Sequence, residues 1–529
     1  MSIFSSVPVQ KVKRNKFNMS QERLMTAKFG KLYPCMLHEV VPGDSWRNTS
    51  QVFLRTAPQI NPTMARIKVH MHFFFVPHRL VWDNWEDFVT GGEDGLQEPV
   101  YPTIQMDERF PVWGKGSLAD YFGLPTAPDS GIEQGYSLAV SALPFRAYQL
   151  IYNEYYRDQN LIEKVHINKT DGAEDLTDPL NQPYAIRTRA YAKDYFTAAL
   201  PWPQRGGEAV VPLGSIEPNY LAISNVLKSD GTNAADGALS VAGGSLQDSV
   251  AANARIENLG TMTTEPVTIE TLRTAFRVQE WLEKSARGGS RYIEAILSHY
   301  GVVSSDARLQ RPEFLGGQVQ PVTISEVLNT AGQVAPETTP QDNNLQPVGA
   351  MAGHGISAGR GKPWKRYFEE HGYIIGIMSI LPQRGYMNGV HRMWRRFDKF
   401  DHYWPTFARL GEQAIQNMEL YKGWTAADSG NPTGTFGYIP RYAEYKYACN
   451  SVHGDFRDNM IDWHLSQNFG QEPALNQAFI EADDQINDLT RIFAVTGNAE
   501  IDANDYFWIQ MYHKTDAIRP MPYHAIPTI

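Results

Sequence analysis

Apolar and polar positions trade places over short distances along this chain, so the elements they predict are many, brief and scattered. Period-two or continuous apolar runs predict strands at QVFLRT (51–56), ARIKVHMHFFFVP (65–77), EAVVPLG (208–214), GYIIGIMSILP (372–382) and RIFAVTG (491–497). In the second run, Ile67, Val69, Met71, Phe73 and Phe75 share one face, and Lys68, His70, His72 and Phe74 share the other. Helical spacing appears three times. Residues 143–162 repeat at Phe145, Tyr148, Ile151, Tyr152 and Tyr155, with Pro144 in the first turn. Residues 268–289 open on Thr268 and stop at Gly288, and residues 406–421 carry Phe407, Leu410, Ile415 and Met418. The strands do not alternate with helices, which excludes a βαβ arrangement.

Long stretches between these elements are rich in proline, glycine, asparagine and aromatic residues, with 33 prolines and 42 glycines in all. Connections in compact domains have a median of about 4–6 residues, so this much ordered loop needs something to pack against, often another subunit. Two segments differ in kind. Residues 219–259 are small, polar and almost free of aromatics, as expected of a protruding module, and the glycine-, alanine- and proline-rich 329–362 reads as a flexible loop. There are no internal repeats.

Composition narrows the classes. The chain has 529 residues, 42% of them hydrophobic, and a net charge of −10, so it can bury a large core and has no chain-wide attraction for nucleic acid. Cys35 and Cys449 form neither a disulfide framework nor a CxxC site, which suits a reducing compartment. The N-terminus lacks an apolar stretch of signal-peptide length, and the longest apolar run (373–381) is far short of the roughly 20 residues that span a bilayer. Neither export by a signal peptide nor membrane insertion is expected.

Candidate chemistry is thin. His70 and His72 point the same way from one strand, as metal ligands of a cupin-like site do, but Phe73, Phe74 and Phe75 follow where such a site places a glutamate, and Lys68 shares the face. GISAG (355–359) spells a nucleophile elbow around Ser357 without the strand and helix that such an elbow joins, so it reads as a chance match in a glycine-rich loop. Neighbouring acids, such as Asp107 with Glu108 or Asp398 with Asp401, say nothing about spacing across a cleft. No catalytic constellation, metal site or cofactor is expected. Basic residues are more informative: Lys11, Lys13, Arg14 and Lys16 form an acid-free cluster within an N-terminal arm, residues 1–25. Arg392, Trp394, Arg395 and Arg396 open a segment (391–404) in which cations alternate with rings, and RGKPWKRYF (360–368) has the same mixture. Such mixtures bind single-stranded nucleic acid by phosphate pairing and base stacking, or pack between protein subunits; nucleic-acid contact is expected of Lys11, Lys13, Arg14 and Lys16 and of some of Arg392, Trp394, Arg395 and Arg396, with subunit packing for the rest.

HMHFFFVPHRLVWDNWEDF, PFRAYQLIYNEYYRDQNL, DYFTAALPWPQRG, ARGGSRYIEAILSHYGVVSSDARLQRPEFLGG, FDHYWPTFARLGEQAI, FGYIPRYAEYKY and RPMP together resemble the major capsid protein of microviruses, within the gokushovirus group. The similarity covers nearly the whole chain and thins at the two unusual segments. The resemblance implies an all-β core: one eight-stranded antiparallel jelly roll with long loop insertions and a few helices, spanning residues 1–529. It also implies a homo-oligomeric T=1 icosahedral capsid around circular single-stranded DNA, built in a bacterial host's cytoplasm. An internal scaffolding protein and a minor pilot protein are the implied partners. A surface insertion, placed at 205–265, would gather at the threefold axes as a protrusion that meets a bacterial surface receptor. Two other classes stay open on the residues alone: a cupin-type metal-dependent enzyme using His70 and His72, and a polysaccharide-binding β-protein built on the aromatic loops.

Overall fold

The computed structural model describes residues 13–106, 113–126, 138–176, 182–207, 269–289, 291–328, 349, 351–423, 430–484, 486–494 and 505–524, with short strand segments between 226 and 256. Two compact units result: Met1–Pro203 with Gly288–Ile529, and Gln204–Arg287.

Ten strands of the larger unit join in one curled antiparallel sheet. In chain order they are β1 (Asn15–Asn18), β2 (Gln21–Ala27), β3 (Tyr33–Val40), β4 (Ser45–Thr56), β5 (Ile67–Pro77), β6 (Glu313–Leu328), β7 (Met351–Arg360), β8 (Trp364–Tyr367), β9 (Gly372–Pro382) and β10 (Phe507–Arg519). The pairs β2–β10, β3–β9, β4–β7 and β5–β6 nest inside one another. Rolling that nest up brings β10 against β4 and β9 against β5. This is the strand order of a jelly roll. The four-residue β1 and β8 are additions at its margins. The 16-residue β6 pairs with β5 through its first part and with β7 through its second, so it carries the sheet round the bend.

Two insertions hold much of the remaining chain: residues 78–312 between β5 and β6, and 383–506 between β9 and β10. In the β5–β9 register Gly372 lies opposite Pro77 and Pro382 opposite Ile67. The insertions therefore leave from opposite ends of the roll. Its interior is packed by Val69, Met71 and Phe73 of β5, Trp46 and Leu54 of β4, Ile374 and Met378 of β9, and Phe507 and Met511 of β10.

The first insertion folds back over the outside of β5 and β9. Its helix α1 (Leu143–Ile151) sets Leu143, Phe145, Tyr148 and Ile151 against Phe74, Val76, Ile375 and Ile377. Both faces of these strands are thus buried, which is why β5 and β9 read as nearly unbroken apolar runs. The helix expected to reach residue 162 instead passes into a π turn at Tyr152–Tyr156 and ends at Arg157. Tertiary contacts decide that end. Asn153 exchanges hydrogen bonds with the backbone of Val165 at 2.8 and 3.0 Å, and the Tyr155 hydroxyl donates to the Pro312 carbonyl at 2.5 Å.

Other departures have local causes. The helix expected at 406–421 is a short turn (Pro405–Phe407), a strand (Glu412–Gln416) and one helical turn (Asn417–Leu420). Gly411 between them has φ +84°, which breaks a helix, and Ile415 is buried where it pairs with Gly437. The described part of RIFAVTG holds the end of a single turn at Thr490–Ile492 and an isolated bridge from Phe493 to Gln59, not a strand. GISAG, expected in a loop, lies inside β7. EAVVPLG, like most of 219–259, lies outside the described residues. The helix expected at 268–289 is α2 (Ile269–Gly288), and within the smaller unit the backbone of Arg205 bonds to that of Leu282.

Candidate assembly and nucleic-acid surfaces

The histidine pair of β5 lies beneath the first insertion. His72 Nδ1 is hydrogen-bonded to the Tyr156 hydroxyl at 2.8 Å, with the two rings stacked, and Phe74 packs on Tyr155 at 4.7 Å. Burial pushes the pKa of His70 down to about 3 and that of His72 to about 4, and the nearby Arg189 guanidinium adds to both shifts. A fixed cation beside two desolvated imidazoles opposes a metal ion. Among the described residues no three His, Cys, Asp or Glu side chains cluster as ligands. The histidine-bearing side of β5 is an internal seam. Ser357 of the elbow-like motif is 2% exposed and donates to the Pro321 carbonyl at 2.7 Å, so it is a structural hydroxyl.

The 391–404 segment divides its labour. Arg392 pairs with the buried Glu419 at 2.8 Å, and Arg396 pairs with the buried Glu444 at 3.3 Å and covers the Tyr445 ring at 4.1 Å. Arg395 hydrogen-bonds to the Gln416 side chain. The arginines thus pin the segment to its own subunit, and the rings face outward: Trp394 is 69% exposed, Phe397 88% and Phe400 52%. Tyr403, Trp404 and Leu410 continue this exposed surface. An apolar patch of this kind on a folded protein marks a contact with another macromolecule.

The arm is partly sheet. Residues 15–18 of the 1–25 segment form β1 and residues 21–25 the first part of β2, both strands paired with β10. Lys11 lies outside the described residues, and Lys13 is exposed. Arg14 donates to the Tyr367 hydroxyl at 3.2 Å, and Lys16 pairs with Asp516 at 3.1 Å. Runs of basic residues drew the sequence reading to these places. Arg47, Arg55 and Lys514 stand apart from such runs, on β4 and β10, and are exposed, as are Arg360 and Lys365 of the 360–368 segment already singled out. Period-two alternation within each strand was the signal that could have found them.

Comparison with known proteins accords with this architecture. A family model described as "Capsid protein (F protein)" matches residues 5–529. The chain is 37% identical to the capsid protein VP1 of Bdellovibrio phage phiMH2K and 33% identical to that of Chlamydia phage 1, in each case over 99% of this chain and 97% of the relative. It is 28% identical to the capsid protein VP1 of Spiroplasma virus 4 over the same shares.

Proposed function

Because the chain belongs to the capsid (F) protein family of microviruses, a structural component of the virion, we propose that its copies close into a T=1 icosahedral shell around circular single-stranded DNA. The observation that carries this reading is the outward aromatic surface from Trp394 to Leu410, held in place by ion-paired arginines. A closed shell needs heterologous contacts whose rotations close, and large obligate contacts of about 2,000 Å² or more are rich in such rings. In this reading 391–410 meets neighbouring subunits, and the cations of the arm, Lys11, Lys13, Arg14 and Lys16, reach the packaged DNA. Residues 205–265 form the threefold protrusion that attaches to a bacterial receptor. Assembly takes place in the host cytoplasm with an internal scaffolding protein and a minor pilot protein. A metal-dependent enzyme acting through His70 and His72 is disfavoured by their cover and by Arg189.

Negative-stain electron microscopy of the expressed chain, alone and with the scaffolding protein, tests the reading. Uniform icosahedral particles are expected in at least the second case. Their absence in both would count against it. Trp394→Ser with Phe397→Ser is expected to leave the melting temperature of the subunit unchanged while particle yield falls at least about tenfold, since central interface aromatics commonly contribute 2 kcal/mol or more, roughly 30-fold in a binding constant.

A further inference from the structure

The half of the roll formed by β2, β10, β4 and β7 presents an outward face with an unusual charge. Every second residue of β10 from Trp508 to Lys514 is exposed, as are Arg47, Gln51 and Arg55 of β4. In a chain of net charge −10, this face carries Arg47 and Arg55 on β4, Lys514 on β10, Arg360 on β7 and Lys365 on β8. None of the five forms an ion pair among the described residues, unlike Arg366, which points the other way and holds Glu313 at 2.8 Å. Arg47 lies directly opposite Lys365 across one ladder. Unscreened like charges in that position repel and call for an anion. The acids on the face are already engaged: Asp516 by Lys16, and Glu22 by Gln510.

Rings lie among these cations. Trp508 is 48% exposed, Tyr512 41% and Tyr367 47%. Trp508 is the cross-strand neighbour of Arg55. Arg55 and Trp508 also line a groove of about 1550 Å³ whose other walls include Lys115 and Arg491, with Asp120 and Asp505 as its acids. At the opposite margin Arg14 of the arm lies 5.3 Å from the Tyr367 ring, so the arm's cations join the same surface. Arg47 and Arg55 are eight residues apart on one strand, roughly 26 Å at about 3.3 Å per residue. The face is therefore long enough for several nucleotides.

We propose that this face binds single-stranded nucleic acid, with phosphates on Arg47, Arg55, Lys365 and Lys514 and unpaired bases stacked on Trp508, Tyr512 and Tyr367. Unpaired cations supply sequence-independent attraction, and exposed rings stack on open bases that a closed duplex does not offer. The proposal rests on the reading that the shell encloses single-stranded DNA, and it identifies which surface of the subunit meets that DNA.

Fluorescence anisotropy of the full chain with a labelled oligothymidylate of about 20 nucleotides, longer than a site of roughly 4–16, tests it across a salt series. R47A/R55A/K514A is expected to weaken binding more than about tenfold at 0.1 M salt and to lower the log-log salt slope by about 2, at about 0.7 per lost phosphate contact. W508A/Y512A is expected to weaken binding about tenfold with the slope unchanged, as loss of stacking requires. The charge-matched control K68A/K164A/R308A should change neither quantity by more than about 20% of those effects. If the wild-type chain binds no oligonucleotide, the enclosed-DNA reading fails and this proposal with it. If the wild type binds and R47A/R55A/K514A matches it in affinity and slope, the face is wrongly assigned while that reading stands. An unchanged slope with altered sedimentation of the variant would assign the face to contact with a second copy, and that too overturns the proposal. Ultraviolet crosslinking of a bromodeoxyuridine oligomer to the wild type gives a readout independent of variant folding. Adducts are expected within 507–519, and adducts confined elsewhere would contradict the assignment.

Discussion

Burial beneath Tyr156 holds His72 neutral, with its pKa pushed down to about 4, and His70, His38, His78 and His513 are lowered in the same way. An unfolded histidine titrates near 6.5, so the unfolded chain takes up protons first as pH falls. Stability present above about pH 6.5 is therefore lost as pH drops toward 4. His72→Phe keeps the ring contact and removes one titrating group. Its melting temperature should fall less steeply between pH 6.5 and 4 than that of the wild type, and an equal slope would contradict the internal seam. Arg146 is the other sensitive residue. It is 1% exposed, bonds to the buried Glu174 at 2.6 Å and also donates to the carbonyls of Val81 and Thr170. Arg146→Met strands a buried carboxylate and should cost about 3–5 kcal/mol, read as a shift of the denaturation midpoint. Arg146→Met with Glu174→Leu should recover most of that loss. The parity of His70 and His72 was legible in sequence because strand alternation is local. Their cover was not, because Tyr155 and Tyr156 arrive from more than 80 residues away.

Strand elements were legible where both faces are buried. The run at 372–382 coincides with β9, and the run at 65–77 contains β5. β7 reads as loop because its glycines mimic one. Neighbouring segments crowd them: a Cβ on Gly355 would lie 2.5 Å from Thr56 Cγ2, and one on Gly353 would lie 2.7 Å from the Asn61 carbonyl oxygen. Close approach, not flexibility, selects glycine at these two positions. The residue types of 391–404 were legible as a contact surface. Their division of roles was not, since the carboxylates that engage Arg392 and Arg396 come from 419 and 444. The 205–265 insertion falls within the compact unit Gln204–Arg287. Replacing it with a short Gly/Ser linker should leave the main thermal transition within a few degrees and still permit particles, while adsorption to host cells falls to background. Loss of the main transition would show that the segment belongs to the core instead.

At the scale of the whole molecule, eight nested strands give a wall with one side under an insertion and the other open and cationic. In the proposed shell, the outward rings at 391–410 supply the lateral contact that a single copy leaves unfilled. The long loops that looked improbable for a compact monomer make sense as shared packing between copies. The resemblance running through the whole sequence carried the family and the jelly roll. Neither composition nor periodicity alone could have done so, because the strands that pair are separated by up to several hundred residues. Cryo-electron microscopy of assembled particles tests the central claim most directly. The expected result is a closed icosahedral shell in which Trp394, Phe397 and Trp404 lie against a neighbouring subunit and the face bearing Arg47, Arg55 and Lys514 looks onto the nucleic acid. Particles in which those rings stay in solvent, or copies that form no closed shell, would contradict it.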